Sequence, residues 1–166
     1  MWVIPMNSRT VYDADTIADY VIWYAKQKND YSVNNIKLQK VLYFLQAGFL
    51  LETGYELFFD DIEAWDFGPV VPSVYYRFRI QGTCRILMHE EDLEIAPKMI
   101  RREDRILIDH ILDMLQPYSA IQLAEITRNQ SVWKKYHNDR HRIYRTDKVK
   151  HAVMPTWAIK NYYENE

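Results

Sequence analysis

Asn34-Asn35-Ile36-Lys37-Leu38-Gln39-Lys40-Val41-Leu42-Tyr43-Phe44-Leu45-Gln46-Ala47-Gly48-Phe49-Leu50-Leu51-Glu52-Thr53-Gly54 reads as a helix with both of its ends marked. Asn34 or Asn35 supplies the cap, a side-chain oxygen that takes a free first-turn amide, and Gly54 supplies the left-handed residue that commonly follows a helix end. Leu38, Val41, Leu42, Leu45 and Phe49 recur along one face, while Tyr43, Phe44, Ala47, Leu50 and Leu51 fill much of the rest. A helix apolar nearly all round must be covered on every side, so this one is predicted to be the centre on which the others pack.

Outward from that centre, Asp13 or Asp15 caps a first helix carrying Ile17, Ala18, Val21, Ile22 and Ala25, which stops near Asn29-Asp30. On the other side, Ile62, Ala64 and either Trp65 or Phe67 predict a short strand with one buried face, closed by Gly68-Pro69. Pro72 opens a short third helix with Val74, Tyr75 and Phe78, and Gly82 ends it. Arg85 to Met88 is expected as a second strand pairing with the first, and the acidic segment through Pro97 as a surface loop. Ile106, Leu107, Ile108, Ile111, Leu112 and Leu115 mark a fourth helix that stops before Pro117. Ser119 and Gln122 have capping-box spacing and open a fifth helix, running to about Thr127, with a brief helix containing Trp133 after Ser131. The basic stretch from Lys134 is read as irregular, and Pro155 to Tyr163 as a closing helix docked through Trp157, Ile159 and Tyr162. The fold class is mainly α with a small β element: a single compact helical domain with a short two- or three-stranded antiparallel sheet. Its core is expected around Leu38, Val41, Leu42, Leu45 and Phe49, with Ile17, Val21, Val74, Phe78, Ile108, Ile111 and Leu115 packed against them.

Composition narrows the functional classes. No segment approaches the roughly 20 uninterrupted apolar residues of a membrane span, and the start lacks the pattern of a secretory leader, so a cytoplasmic protein is expected. Cys84 is the single cysteine. A net charge of -2 argues against overall attraction to nucleic acid, although the 134–150 segment holds seven Lys or Arg against two Asp. Nucleic-acid binding or a regulatory role through that segment is the alternative reading, because Tyr136 and Tyr144 interleave with its charges.

Other candidate chemistries find less support. His137 and His141 have the spacing by which two imidazoles meet one ion, but no further ligands accompany them, and no metal or small-molecule cofactor is expected. Cys84 near His89 lacks an orienting third group, so it reads as a buried or half-buried structural cysteine. Asp60, Asp61, Glu63 and Asp66 read as the solvated face of a strand rather than as an acid and base pair. No phosphate-cradling or nucleophile-elbow motif occurs, and the chain is not expected to be an enzyme. Gly68-Pro69-Val70-Val71-Pro72 is read as a structural turn, its two prolines and glycine fixing the path while Val70 and Val71 pack. The large aromatics Trp65, Tyr75, Tyr76, Trp133, Tyr136, Tyr144 and Trp157 exceed what such a core needs, so some are expected at a protein interface.

Four segments in order carry a family likeness: Ile36 to Phe44, Ile62 to Pro72, Tyr75-Tyr76-Arg77-Phe78, and Tyr118 to Thr127 leading to Trp133-Lys134. Together they resemble the Panacea domain family of SocA-like, phage-associated GepA-like antitoxins, with 1–15 as an N-terminal extension and 16–166 as the domain. The resemblance implies the antitoxin of a type II toxin-antitoxin system, which neutralises a cognate protein toxin by contact. It extends to toxins of the small alarmone synthetase type, which block translation, and to an adaptor that delivers its toxin to a ClpXP-type protease. The short N-terminal extension leaves no room for the DNA-binding segment that many such antitoxins carry. The likeness places no contact residues. From side-chain chemistry, two candidate partner-binding patches stand out: Tyr75, Tyr76, Arg77 and Arg79 on the third helix, and Trp133, Tyr136, Arg142 and Arg145 further on.

Overall fold

The computed structural model describes residues 11–143 and 151–166, with the side chains of 139–143 left aside. The order is α1 (Ala14–Gln27), α2 (Asn35–Thr53), β1 (Glu63–Trp65), β2 (Gly68–Val70), α3 (Pro72–Phe78), α4 (Glu90–Leu93), α5 (Ala96–Met99), α6 (Arg102–Leu115), α7 (Ala120–Asn129), α8 (Ser131–Ile143) and α9 (Thr156–Asn165). The helix ends follow local chemistry. Asp13 accepts the Thr16 amide, Asn34 accepts that of Lys37, Gly54 takes φ 75° after α2, and Ser119 and Gln122 form the reciprocal capping box.

Helix α2 runs through the middle, touched by α1, α3, α6, α7, α9 and the β1–β2 hairpin. Leu38, Leu42 and Leu45 are fully buried, and Ile17, Val21, Val74, Phe78, Ile108 and Ile111 close over them as expected, with Leu115 half-buried at the margin. Helix α1 and Tyr12 just before it meet α6 through a row of tyrosine hydroxyls donating to aspartates: Tyr12 to Asp104 (2.7 Å), Tyr20 to Asp109 (2.6 Å) and Tyr24 to Asp113 (2.5 Å). Burial and the facing carboxylates hold the phenols of Tyr20 and Tyr24 well above their ordinary value, so these links stay donor-to-anion through the neutral range. Among the described residues no helix is long and apolar enough to cross a membrane.

Four local expectations are corrected. β1 pairs not with Arg85 to Met88 but with Gly68–Val70, in antiparallel register Glu63 to Val70 and Trp65 to Gly68. Gly68, with φ 105°, therefore starts the return strand rather than ending the sheet. Arg85 instead bridges Asn34, and Ile86 donates to the Val33 carbonyl. The other edge of β1 is taken by the approach to α9, where Ala64 donates to Ala152 and Met154 to Ile62. The acidic segment forms α4 and α5 rather than a loop. Helix α8 continues to Ile143, although Lys134 onward was read as irregular. In α9, Ile159 docks on the body but Trp157 is largely exposed, because the face of α9 that meets α2 carries Ile159 and Tyr163.

Candidate functional site

The site is built on polar side chains of the central helix. Asn35, Gln39, Lys40 and Gln46 are all buried, and a buried polar group is costly unless it is hydrogen-bonded. Each faces the backbone of a segment folded over α2. Gln39 accepts the Val71 amide (2.9 Å) and donates to Asn35 (2.9 Å), which in turn donates to the Tyr75 carbonyl (3.0 Å). Lys40 donates to the Pro69 carbonyl (3.0 Å). Gln46 takes the amides of Leu57 (2.8 Å) and Phe58 (3.2 Å) and donates to the Phe58 carbonyl (2.9 Å). The Lys-Leu-Gln-Lys stretch and the Gly-Pro-Val-Val-Pro stretch are thus two halves of one clamp, holding the β1–β2 hairpin and the start of α3. A Cβ on Gly68 would lie 2.7 Å from the Thr127 hydroxyl and 2.8 Å from Lys40 Cε, so the return strand passes where only glycine fits.

The clamped hairpin carries an aromatic cluster. Trp65 meets Tyr75 (4.8 Å between ring centres) and Tyr76 (6.1 Å) edge-on and stacks on His151 (4.6 Å). Its indole donates to Glu63 (2.7 Å), and its carbonyl accepts from the Trp133 indole (3.1 Å). Trp133 stacks on His137 (4.3 Å), and His137 reaches Asp66 at the hairpin turn (2.9 Å). Helix α3 therefore grips one flank of the hairpin and α8 the other. Phe67 at the turn and Tyr76 on α3 remain open to solvent, at 69% and 54% exposure.

A family described as "Antitoxin SocA-like, Panacea domain" matches residues 38–134. The match takes in most of α2, the hairpin and the start of α8. The chain belongs to this SocA-like, Panacea-domain family. Among curated proteins, Antitoxin SocA of Caulobacter vibrioides (strain NA1000 / CB15N) is 45% identical over 53 residues, 32% of this chain and 28% of that protein. The match thus spans less than a third of the relative's length. No solved structure matches the chain.

In this Panacea domain the two predicted patches are not separate: Tyr75 and Tyr76 on one side and Trp133 on the other converge on Trp65. Within them the side chains divide. Tyr75 is half-buried, and Trp133 is buried. Arg77 is paired with Asp15 (3.1 Å) and Asp19 (2.8 Å) of α1, and so ties α3 to α1. Burial raises the Asp19 carboxyl, and the nearby Arg77 charge works in the opposite sense. Arg79 lies over the Tyr76 ring at 5.5 Å. Tyr136 is half-buried on the α9 side, under Lys135. Arg145 and the Arg142 side chain lie outside the described residues, as does the His141 side chain.

Of the carboxylates of the hairpin region, Asp61 and Asp66 are exposed as expected, whereas Asp60 is structural. Asp60 accepts the Ala14 amide (2.8 Å) and the Ser73 hydroxyl (3.0 Å), joining α1 to α3. Cys84 is exposed rather than buried, because it sits in the loop after α3 where Arg85 and Thr83 are exposed too. Among the described residues no group of His, Cys, Asp and Glu is placed to hold a metal ion. Phe67, read from the sequence as a candidate buried strand residue, instead lies in the turn between Trp65 and Gly68 and faces solvent.

Proposed function

We propose that this chain is an antitoxin that neutralises a cognate protein toxin by direct contact, as one half of a type II toxin-antitoxin pair. The observation that carries the reading is the hairpin surface. A rigid clamp of buried hydrogen bonds fixes the turn, and its outer side leaves Phe67 and Tyr76 exposed beside Arg79. Rigid aromatics next to an arginine are the composition of an interface centre, since they cover area with little loss of side-chain freedom. Family membership supports the antitoxin role and a regulatory, non-enzymatic one. The toxin is proposed to be a translation-blocking enzyme of the small alarmone synthetase type, met in the cytoplasm.

Co-expression tests the reading. The reading frame beside this one in the source genome should arrest growth when induced alone and be harmless together with this chain. Growth arrest that persists despite soluble antitoxin refutes it. Toxin abundance during rescue separates two modes: occlusion leaves the toxin at full level, whereas delivery to a ClpXP-type protease depletes it only in cells that have the protease.

A further inference from the structure

Several cations among the described residues have a carboxylate. Arg77 has Asp15 and Asp19, and Lys37 has Asp30 at 3.6 Å. Lys40 and Arg128 depart from this pattern. Lys40 is 1% exposed with a neutral carbonyl as its hydrogen-bond acceptor, and no carboxylate pairs with either cation among the described residues. The Nε of Arg128 is buried without a hydrogen-bond partner. Two like charges close together in a partly dry site repel, and an unmade buried bond adds to the cost. A buried donor of this kind calls for a partner outside the chain, water or a ligand group.

Beside Arg128 lies an open hollow of about 450 Å³ lined by Glu125, Arg128, Asn129 and Trp133. Trp133 is the residue whose indole holds the hairpin, so the hollow adjoins the proposed interface. We propose that this hollow receives an acidic side chain of the protein partner, paired with Arg128. This rests on the antitoxin reading and names what the partner must bring to it. No internal bond holds the Nε of Arg128, so the guanidinium can turn outward to form the two parallel bonds by which arginine takes a carboxylate. Lys40 stays behind the hairpin and adds positive field only in its protonated fraction, since burial and the Arg128 charge lower its amine to about 7. The Arg128 charge acts with burial to lower the Lys40 amine, which agrees with the two groups sharing one field. Glu125, three residues before Arg128 on α7, lines the same hollow but is exposed and makes no ion pair among the described residues, so solvent weakens its opposition to the incoming acid.

The experiment is calorimetric titration of the purified chain with the purified product of the neighbouring toxin frame, alongside thermal melts of each variant. Arg128→Gln should weaken binding about 10- to 100-fold, the effect of losing a charge-assisted pair. Its melting temperature should stay level or rise, because no internal bond is lost and a repulsion with Lys40 is relieved. Arg128→Lys should fall between, and Glu125→Gln should bind as well as the parent or more tightly. Unchanged affinity in Arg128→Gln overturns the proposal, as does a loss of affinity that merely follows a drop in melting temperature. Weaker binding in Glu125→Gln would mean the hollow reads a basic group and also overturns it. If the parent chain binds no toxin, the antitoxin reading fails and the site with it, whereas binding that Arg128→Gln leaves intact removes the site alone.

Discussion

Lys40→Met should change the sign of its effect on stability with pH. Lysine in the unfolded chain titrates near 10.5, whereas burial, helped by the Arg128 charge, lowers folded Lys40 to about 7. The folded amine binds its proton less tightly than the unfolded one, so stability rises with pH between these two values. Below about 7 the penalty is complete, and at about 1.4 kcal/mol per tenfold change in acidity it is on the order of 5 kcal/mol. Above about 10.5 both states are neutral and the penalty is gone. Methionine keeps the buried stem and removes the charge, but it leaves the Pro69 carbonyl without its donor, a cost of about 1 to 3 kcal/mol. Near pH 6 the variant should therefore be more stable than the parent by roughly 2 to 4 kcal/mol, and near pH 10, where about 1 kcal/mol of the penalty remains, less stable by up to about 2 kcal/mol. Urea unfolding followed by circular dichroism at pH 6, 8 and 10 measures both proteins, and the difference between them cancels groups common to the two. A difference that does not move with pH, or a variant weaker at every pH, would refute the assignment of Lys40 as a buried, carboxylate-free amine.

The remaining expectations follow from the same packing. Leu42 is fully buried, so Leu42→Ala should lose about 2 to 5 kcal/mol in the same urea assay, and a loss below about 0.5 kcal/mol would contradict its place in the core. Gln46→Ala strips three backbone groups of Leu57 and Phe58 of their partner and should cost about 2 to 4 kcal/mol, whereas Gln46→Glu keeps only the acceptor and should recover part of it. Arg77→Glu turns an ion pair into repulsion with Asp15 and Asp19, so it should lower the melting temperature, while Tyr76→Ala and Phe67→Ala should leave melting within a few degrees and weaken toxin binding. Prolonged dialysis against a chelator should leave the melting temperature unchanged, and a marked drop would bring back a metal role for His137 and His141.

The test of the α3 surface is changed by what Arg77 does. Reversing the charge of Arg77 and Arg79 together would be the direct probe of that patch in neutralisation. With Arg77 tied to two aspartates of α1, that double change now carries a structural cost of its own. Tyr76 and Arg79 are the cleaner probes, since Tyr76 is exposed and Arg79 lies over its ring rather than in an ion pair.

What the sequence determined by itself was decided by short-range chemistry. Asp13, Asn34 and Ser119 cap helices through amides three residues away, Gly54 ends α2 because it alone tolerates φ 75° cheaply, and the apolar spacing of α2 required a central position. These signals need no distant partner. The hairpin escaped because strands of three residues show no usable alternation, and Gly68-Pro69 resembles a terminator as much as a return strand. The length of α8 escaped because its polar run carries little apolar stripe, and Trp133 is placed by its bond to the Trp65 carbonyl. Gln39, Lys40 and Gln46 look like the polar remainder of a greasy helix until the chain folds back. Only then do Val71, Pro69, Leu57 and Phe58 arrive to take their hydrogen bonds, and only then do Tyr75, Tyr76 and Trp133, distant along the chain, gather on one hairpin. Long-range pairing of this kind depends on where other segments land, which no local spacing encodes.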